Sequence, residues 1–262
     1  MHDAARRHER SGTLPRRIGL APRCARRRAM SALDAAALAR LLDHSVLKPE
    51  ATLADIRAGA AVVREWRIGC YCVQPVWVRA ASAALAGTDA VVAAVVGFPH
   101  GCDRTPIKAD AARLAVDEGA REIDMVVDIG ALKGGAAADV EADIGAVVRA
   151  AGGCAVKVIL ETAVLTDDAK RLGCRLARDA GAAFVKTSTG FHAAGGATVE
   201  DVRLLRAAVG AAAGVKASGG IRTLAHVKAM LDAGANRIGT SASAAILADR
   251  RAEDGEARAP PL

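Results

Sequence analysis

Aromatic residues are scarce, with three Phe, two Trp and one Tyr in 262 residues. A core without rings must be filled by Val, Ile, Leu and Ala, which favours helices packed closely on a sheet. No apolar run reaches the roughly eighteen residues of a membrane span before a charge or a glycine interrupts it. The cysteines Cys24, Cys70, Cys72, Cys102, Cys154 and Cys174 include one CxC but no CxxC pair. That pattern argues against a disulfide framework and predicts reduced thiols in a cytoplasmic protein. His44, His100, His192 and His226 match no HExxH or other recognised ligand spacing, so no metal site is expected.

Excess charge is also missing from most of the chain. The formal net charge is +7, and the nine Arg of residues 1–30, less Asp3 and Glu9, account for all of it. The remainder is balanced, which argues against a folded basic face for nucleic acid. The Arg-rich leader lacks the apolar stretch of a secretory signal. It reads as a disordered extension, or as an upstream start with the true one at Met30. The polar stretch 249–262 reads as a disordered tail. Between them, residues 31–248 suit one α/β domain.

Within that domain, short β-rich runs recur: HSVLK, GCYCVQ, VVAAVVGF, EIDMVV, AVKVILE, FVKTST, GVKAS and RIGTS, beginning near 44, 69, 91, 122, 155, 184, 214 and 237. The gaps between them hold helices, as in the helical spacing of Leu165, Ala169, Leu172 and Leu176, or of Val202, Leu205 and Val209. Gly119, Gly181 and Gly234 stand where a left-handed residue closes a helix before the next strand. Eight βα units with strands apolar on both faces predict a single (β/α)8 TIM barrel, with a helix at 32–42 capping the bottom.

Two lysines interrupt these apolar runs, Lys186 in FVKTSTG and Lys216 in GVKASGG. Burying an ammonium is costly, and apolar surroundings or a second cation push it toward the neutral amine that attacks carbonyls. The pair suggests Schiff-base chemistry. Asp124 and Lys157 lie in neighbouring strands; Lys157 could pair structurally with Glu122 or Glu161, and Asp124 could simply neutralise a lysine. Barrel enzymes hold phosphate in the loops after strands seven and eight, where Gly219, Gly220, Gly239, Thr240 and Ser241 fall.

With these residues placed, residues 41–248 resemble deoxyribose-phosphate aldolase, through DHSVLKPEAT, VVGFPHG, EIDMVVDIGALKGG, VKVILET, VKTSTGF and VKASGGIRT in order. The resemblance implies a class I aldolase that needs no metal or cofactor, acts on a small phosphosugar and pairs as a homodimer. It implies Lys186 as the Schiff-base lysine, Lys216 as the residue lowering its pKa, Asp124 as a proton relay and Lys157 as a group positioning a substrate hydroxyl. It further implies substrate and phosphate contacts at Asp43, Leu47, Thr189, Gly190, Ser218, Gly219, Gly220, Gly239 and Ser241. Cys72 falls near the implied site and reads as an inert core thiol. The chain departs from the family pattern at Gln74, in GCDRTP at 101–106 and in FHAAGGAT, which is one residue longer and carries His192. The competing readings are another lysine-dependent aldolase or transaldolase, and a catalytically silent barrel whose leader binds a partner.

Overall fold

A computed structural model describes residues 33–255 and shows eight parallel strands closed into one barrel in chain order. They are β1 (Leu42–Val46), β2 (Cys70–Val73), β3 (Val91–Val96), β4 (Glu122–Val126), β5 (Ala155–Ile159), β6 (Phe184–Lys186), β7 (Gly214–Ser218) and β8 (Arg237–Thr240). All begin within two residues of the positions expected from the sequence. The helices that matter to the site are α1 (Ala35–Arg40), α2 (Leu53–Trp66), α3 (Val78–Ala84), α4 (Thr105–Asp117), α5 (Ile129–Lys133), α6 (Ala137–Ala150), α7 (Asp167–Asp179), α8 (Val199–Val209), α9 (Leu224–Ala233) and α10 (Ser243–Glu253). None is long and apolar enough to cross a membrane.

Threonines cap four of these helices. The Thr52 side chain accepts from the Asp55 N–H while Asp55 returns the bond to the Thr52 backbone, and Thr166, Thr198 and Thr223 cap α7, α8 and α9 in the same position. Gly119, Gly181 and Gly234 end helices at φ of +116°, +87° and +116°, as the sequence suggested. The short α1 buries Leu38 and Ala39 and leads directly into β1.

The chain's end differs from expectation. The last helix continues past residue 248 to Glu253, because residues that look like a polar tail make contacts. Arg250 donates to the Leu33 carbonyl at 2.8 Å, and the Arg251 guanidinium lies 4.3 Å from the Trp66 ring centroid. The leader at 1–30 and the end of the tail at 256–262 lie outside the described residues.

The main core lies between barrel and helices. Ile123, Met125, Val156, Val158, Val185, Val215, Ala217 and Ile238 turn outward from the strands into it, each contributing to burial without a ring. A fully buried Val, Ile or Leu contributes roughly 1.5–3 kcal/mol. The inward positions differ. Alternate strands supply layers of side chains, and the strand registers place Cys70, Glu122, Phe184 and Arg237 lowest. Asp43, Ala93, Lys157 and Lys216 follow, then Cys72, Asp124 and Lys186 with bare Gly239. On the β1–β3 side the lining is apolar, with Leu47, Cys72, Ala93 and Val95 packed near Phe98. On the β4–β8 side it is charged.

Candidate active site

Asp124 is the hub of the charged half. Its Oδ1 accepts from Lys157 Nζ at 2.6 Å, and its Oδ2 accepts from Lys186 and Lys216, each at 2.7 Å. Lys216 also donates to Asp43. Lys157 also meets Glu122 at 2.5 Å and lies 3.7 Å from Asp43. Arg237 closes the lowest layer, with Nε 2.8 Å from Asp43 and Nη2 on Glu122. Its guanidinium is 5.9 Å from the Phe184 ring centroid. Four cations thus face three carboxylates, a surplus of one positive charge if every group is ionised.

Lysine partners are unequal. Among the described residues, Lys186 has one carboxylate within 4 Å, Lys216 has two and Lys157 has three. The protonation tendencies follow. Burial pushes Lys186 below the usual lysine range, and adjacent Lys216 reinforces that, against the single pull of Asp124. Burial also works against charge on Lys216, but Asp124 and Asp43 outweigh it and hold that ammonium above its ordinary range. Burial also opposes charge on Lys157, yet Asp124, Asp43 and Glu122 hold its ammonium well above the ordinary range. Burial opposes ionisation of Asp124, yet Lys157, Lys186 and Lys216 carry its carboxyl well below the usual range. Of the three lysines, Lys186 is the one whose surroundings favour the neutral amine.

Lys186 and Lys216 open into a cavity of about 810 Å³ at the carboxyl ends of the strands, which Asp43 and Leu47 also line. Gly190, Gly219, Gly220 and Ser241 stand on its wall, as do Thr189, Ser218 and Gly239. The hydroxyls of the latter group are engaged elsewhere. Thr189 Oγ1 donates to Glu161 and accepts from the Phe191 N–H, and Ser218 Oγ donates to the Ser188 carbonyl at 2.6 Å. Gly239 makes room, since a Cβ there would lie 3.0 Å from Lys216 Cε.

Lys157 departs from expectation. It does not line the cavity, because Asp124 stands above it and three carboxylates hold its ammonium in the layer beneath. From there it donates to Asp124. Its structural partner is Glu122, not Glu161, which instead binds Thr189. Asp124 is likewise absent from the cavity wall and touches it through Lys186, Lys216 and the Cys72 thiol.

Sequence reasoning missed Arg222, a cavity-lining cation in the β7 loop directly after Gly219, Gly220 and Ile221. A search for the countercharge of a phosphate beside that glycine pair would have found it. Arg237 was missed as well, as the first residue of its strand. Cys72 lines the cavity, but burial and Asp124 push its thiol up to about 11, which fits an inert thiol. Burial lowers His44 to about 4, and its Nδ1 lies 2.6 Å from Ser243 Oγ, so a neutral imidazole faces the cavity. Asp43, Cys70 and Glu122 bring three donor atoms within 4.8 Å of one another. Lys157 and Arg237 already neutralise those carboxylates, and burial keeps the Cys70 thiol protonated.

The family model described as DeoC/LacD family aldolase matches residues 28–248. The chain belongs to the DeoC/LacD aldolase family. Curated relatives of this aldolase include a deoxyribose-phosphate aldolase of Streptococcus pneumoniae (strain G54), 50% identical over 210 residues that cover 80% of this chain and 95% of the relative. The enzyme of the same name from Bacillus mycoides is 48% identical over 211 residues, covering 80% and 94%. Among solved structures, deoxyribose phosphate aldolase from Aeropyrum pernix, described as a tetramer, aligns with a TM-score of 0.79 at 30% identity over 87% of this chain and 97% of that one. This aldolase therefore carries its charged layers on a barrel shared with enzymes that make and break carbon–carbon bonds.

Proposed function

We propose that the enzyme cleaves 2-deoxy-D-ribose 5-phosphate reversibly into acetaldehyde and D-glyceraldehyde 3-phosphate through an imine on Lys186. The observation that carries this is the charge imbalance: of the two buried lysines on the cavity wall, Lys186 is the one with a single carboxylate partner, and burial favours its neutral form. A neutral Nζ attacks the C1 carbonyl, and loss of water gives a protonated imine. That cation draws electrons from the C2–C3 bond as the C3 hydroxyl loses its proton, which releases the phosphorylated aldehyde. The enamine left on Lys186 is protonated at C2 and hydrolysed to acetaldehyde. Lys216 faces the same cavity, and Asp124 bonds both amines. Protons therefore pass among Lys216, Asp124 and bound solvent without leaving hydrogen-bond reach. Lys157 holds Asp124 in place.

The phosphate belongs at Gly190, Gly219, Gly220 and Ser241, with Arg222 supplying countercharge. Anchoring that remote group aligns the reacting carbons. The apolar wall of Leu47 and Phe98 suits the acetaldehyde end. The homodimer implied by family resemblance belongs to the same proposal, and sedimentation equilibrium decides between it and a larger assembly. The chemistry is tested by adding deoxyribose 5-phosphate, reducing with borohydride and locating the added mass by peptide mass spectrometry. An adduct on Lys186, absent in Lys186→Ala, is expected. A folded wild-type protein that gives no adduct refutes the assignment.

A further inference from the structure

We propose that Arg237, on the floor of the barrel, is a positioning residue for the reaction: its guanidinium fixes Asp43 beneath Lys216 and supplies the surplus positive charge that makes Lys186 the neutral amine. The inference rests on the imine reading above. Arg237 touches no substrate, since it lies in the lowest inward layer and is absent from the cavity wall. Its reach is electrostatic. The pairing Lys186↔Lys216↔Arg237 runs across three adjacent strands, so the Cα atoms of Arg237 and Lys186 are about two strand spacings, or roughly 10 Å, apart, and both side chains turn into the barrel.

The charge count makes the case. Without Arg237, three lysines would face Asp43, Asp124 and Glu122, and the cluster would be neutral with Lys186 protonated. With Arg237, full protonation leaves one charge too many inside a buried site, and Lys186 is the amine least held by carboxylates. The other groups facing Lys186 cannot substitute for this. Asp124 on β4 favours the ammonium, Lys216 on β7 opposes it, and Cys72 on β2 is a thiol. Asp43 and Lys157, one layer down, offset each other. Arg237 is also the one cation of the cluster that cannot shed its own proton, so the imbalance is permanent.

Glu122 gives the opposite lever. It sits on β4, two strands from β6 on the other side, in the same lowest layer and paired to Arg237. Removing its charge should raise the imbalance and favour neutral Lys186 further.

The test measures the initial rate of cyanoborohydride trapping of deoxyribose 5-phosphate on Lys186 against pH, with peptide mass spectrometry as the readout. For Arg237→Met the midpoint of the profile is expected to move about one unit toward alkaline pH, the effect of one charge at that distance with an effective dielectric near 20. Trapping below the midpoint should fall about tenfold. Arg237→Lys, which keeps the charge, is expected to stay near wild type, and Glu122→Gln to move the midpoint toward acid. If Arg237 served stability alone, the variants would melt earlier with an unmoved midpoint, and that result overturns the proposal. Should Arg237→Met fail to fold, Glu122→Gln decides by the same criterion. A wild-type protein that traps no adduct at any pH removes the imine reading itself. A normal wild-type profile with unmoved variants removes only the role of Arg237.

Discussion

Replacing Lys186 by methionine should abolish turnover yet change the stability of the fold little. The side chain is 3% exposed, and its ammonium has one carboxylate partner, Asp124 at 2.7 Å. Losing that charge-assisted hydrogen bond costs about 1.5–3 kcal/mol. Against it stands the removal of a buried amine whose protonation would leave four cations facing three anions. Replacing buried charges by apolar groups of similar size is often neutral or stabilising by about 1–4 kcal/mol. The two effects are of similar size, so the expected net change lies within about 2 kcal/mol of zero, the pattern of a site that sacrifices stability for function.

Asp124→Asn gives the contrast. It leaves the same cations facing only Asp43 and Glu122, and removes the acceptor shared by Lys157, Lys186 and Lys216. Uncompensating a buried charge network in this way costs about 3–5 kcal/mol. For a domain of this size that lowers Tm by roughly 6–20 °C. Both variants are compared with wild type by urea unfolding followed by circular dichroism at pH 7. The reasoning is refuted if Lys186→Met is destabilised as much as Asp124→Asn, because Lys186 would then be a well-paired structural cation and not the group carrying the surplus.

Three further outcomes are expected. Asp43 and Asp124 both have carboxyls held below the ordinary range by neighbouring lysines, with Arg237 adding to the hold on Asp43, while burial opposes that shift in each. Their stabilisation is fully present above about pH 4 and is lost as pH falls through their folded-state values, so equilibrium unfolding should show a steep acid limb, shallower in Asp43→Asn. Gly219 has φ +87°, and a Cβ there would lie 3.0 Å from Gly196 Cα and 3.3 Å from Gly190 Cα. Gly219→Ala should therefore cost about 1–3 kcal/mol in thermal melts and raise KM for the phosphorylated substrate, and an unchanged KM would remove that loop from phosphate binding. Arg222→Met should raise KM for deoxyribose 5-phosphate about tenfold with little change in kcat, while turnover of unphosphorylated deoxyribose stays put. Equal losses on both substrates would argue against a phosphate contact.

The strand positions were legible because each βα unit repeats a short apolar run, a helical period and a closing glycine, and this barrel uses the same device at Gly119, Gly181 and Gly234. Lys186 and Lys216 were legible because a lysine between Val and small residues has no solvent to reach. Glu122 and Arg237 were harder. A charge at the first position of a strand reads as a solvated end, and only the alternation that carries Asp124 and Gly239 inward two residues later shows that both point into the barrel. Glu161 read only as a possible partner of Lys157, and nothing in the sequence pointed to Thr189. Its left-handed backbone at φ +59° and its bond to Thr189 join positions 28 residues apart, which no local pattern encodes. The α10 extension did leave one, the spacing of Arg250 with Glu253 and Asp254 at helical intervals.

The sequence departures from the family pattern fall outside the charged layers, and that separates what sets the reaction from what sets its breadth. Gln74 Nε2 donates to the Leu47 carbonyl at 2.9 Å, so it steadies the β1 loop on the apolar side. In the 101–106 segment, Thr105 Oγ1 binds Asp143, which in turn holds the buried Lys108 at 2.7 Å, a network anchored in α4 and α6. The longer loop after β6 is exposed from residue 192 to 195, and its Phe191 packs edge-on to Phe98 with centroids 5.2 Å apart. None of these contacts reaches Asp124, Lys186 or Lys216. On the imine reading proposed above, the charge count lies within the barrel, whereas Phe191 and the β1 loop line the outer part of the cavity. Changes there should alter KM across a series of aldehydes while leaving the pH midpoint of Lys186 trapping where Arg237 and Glu122 put it.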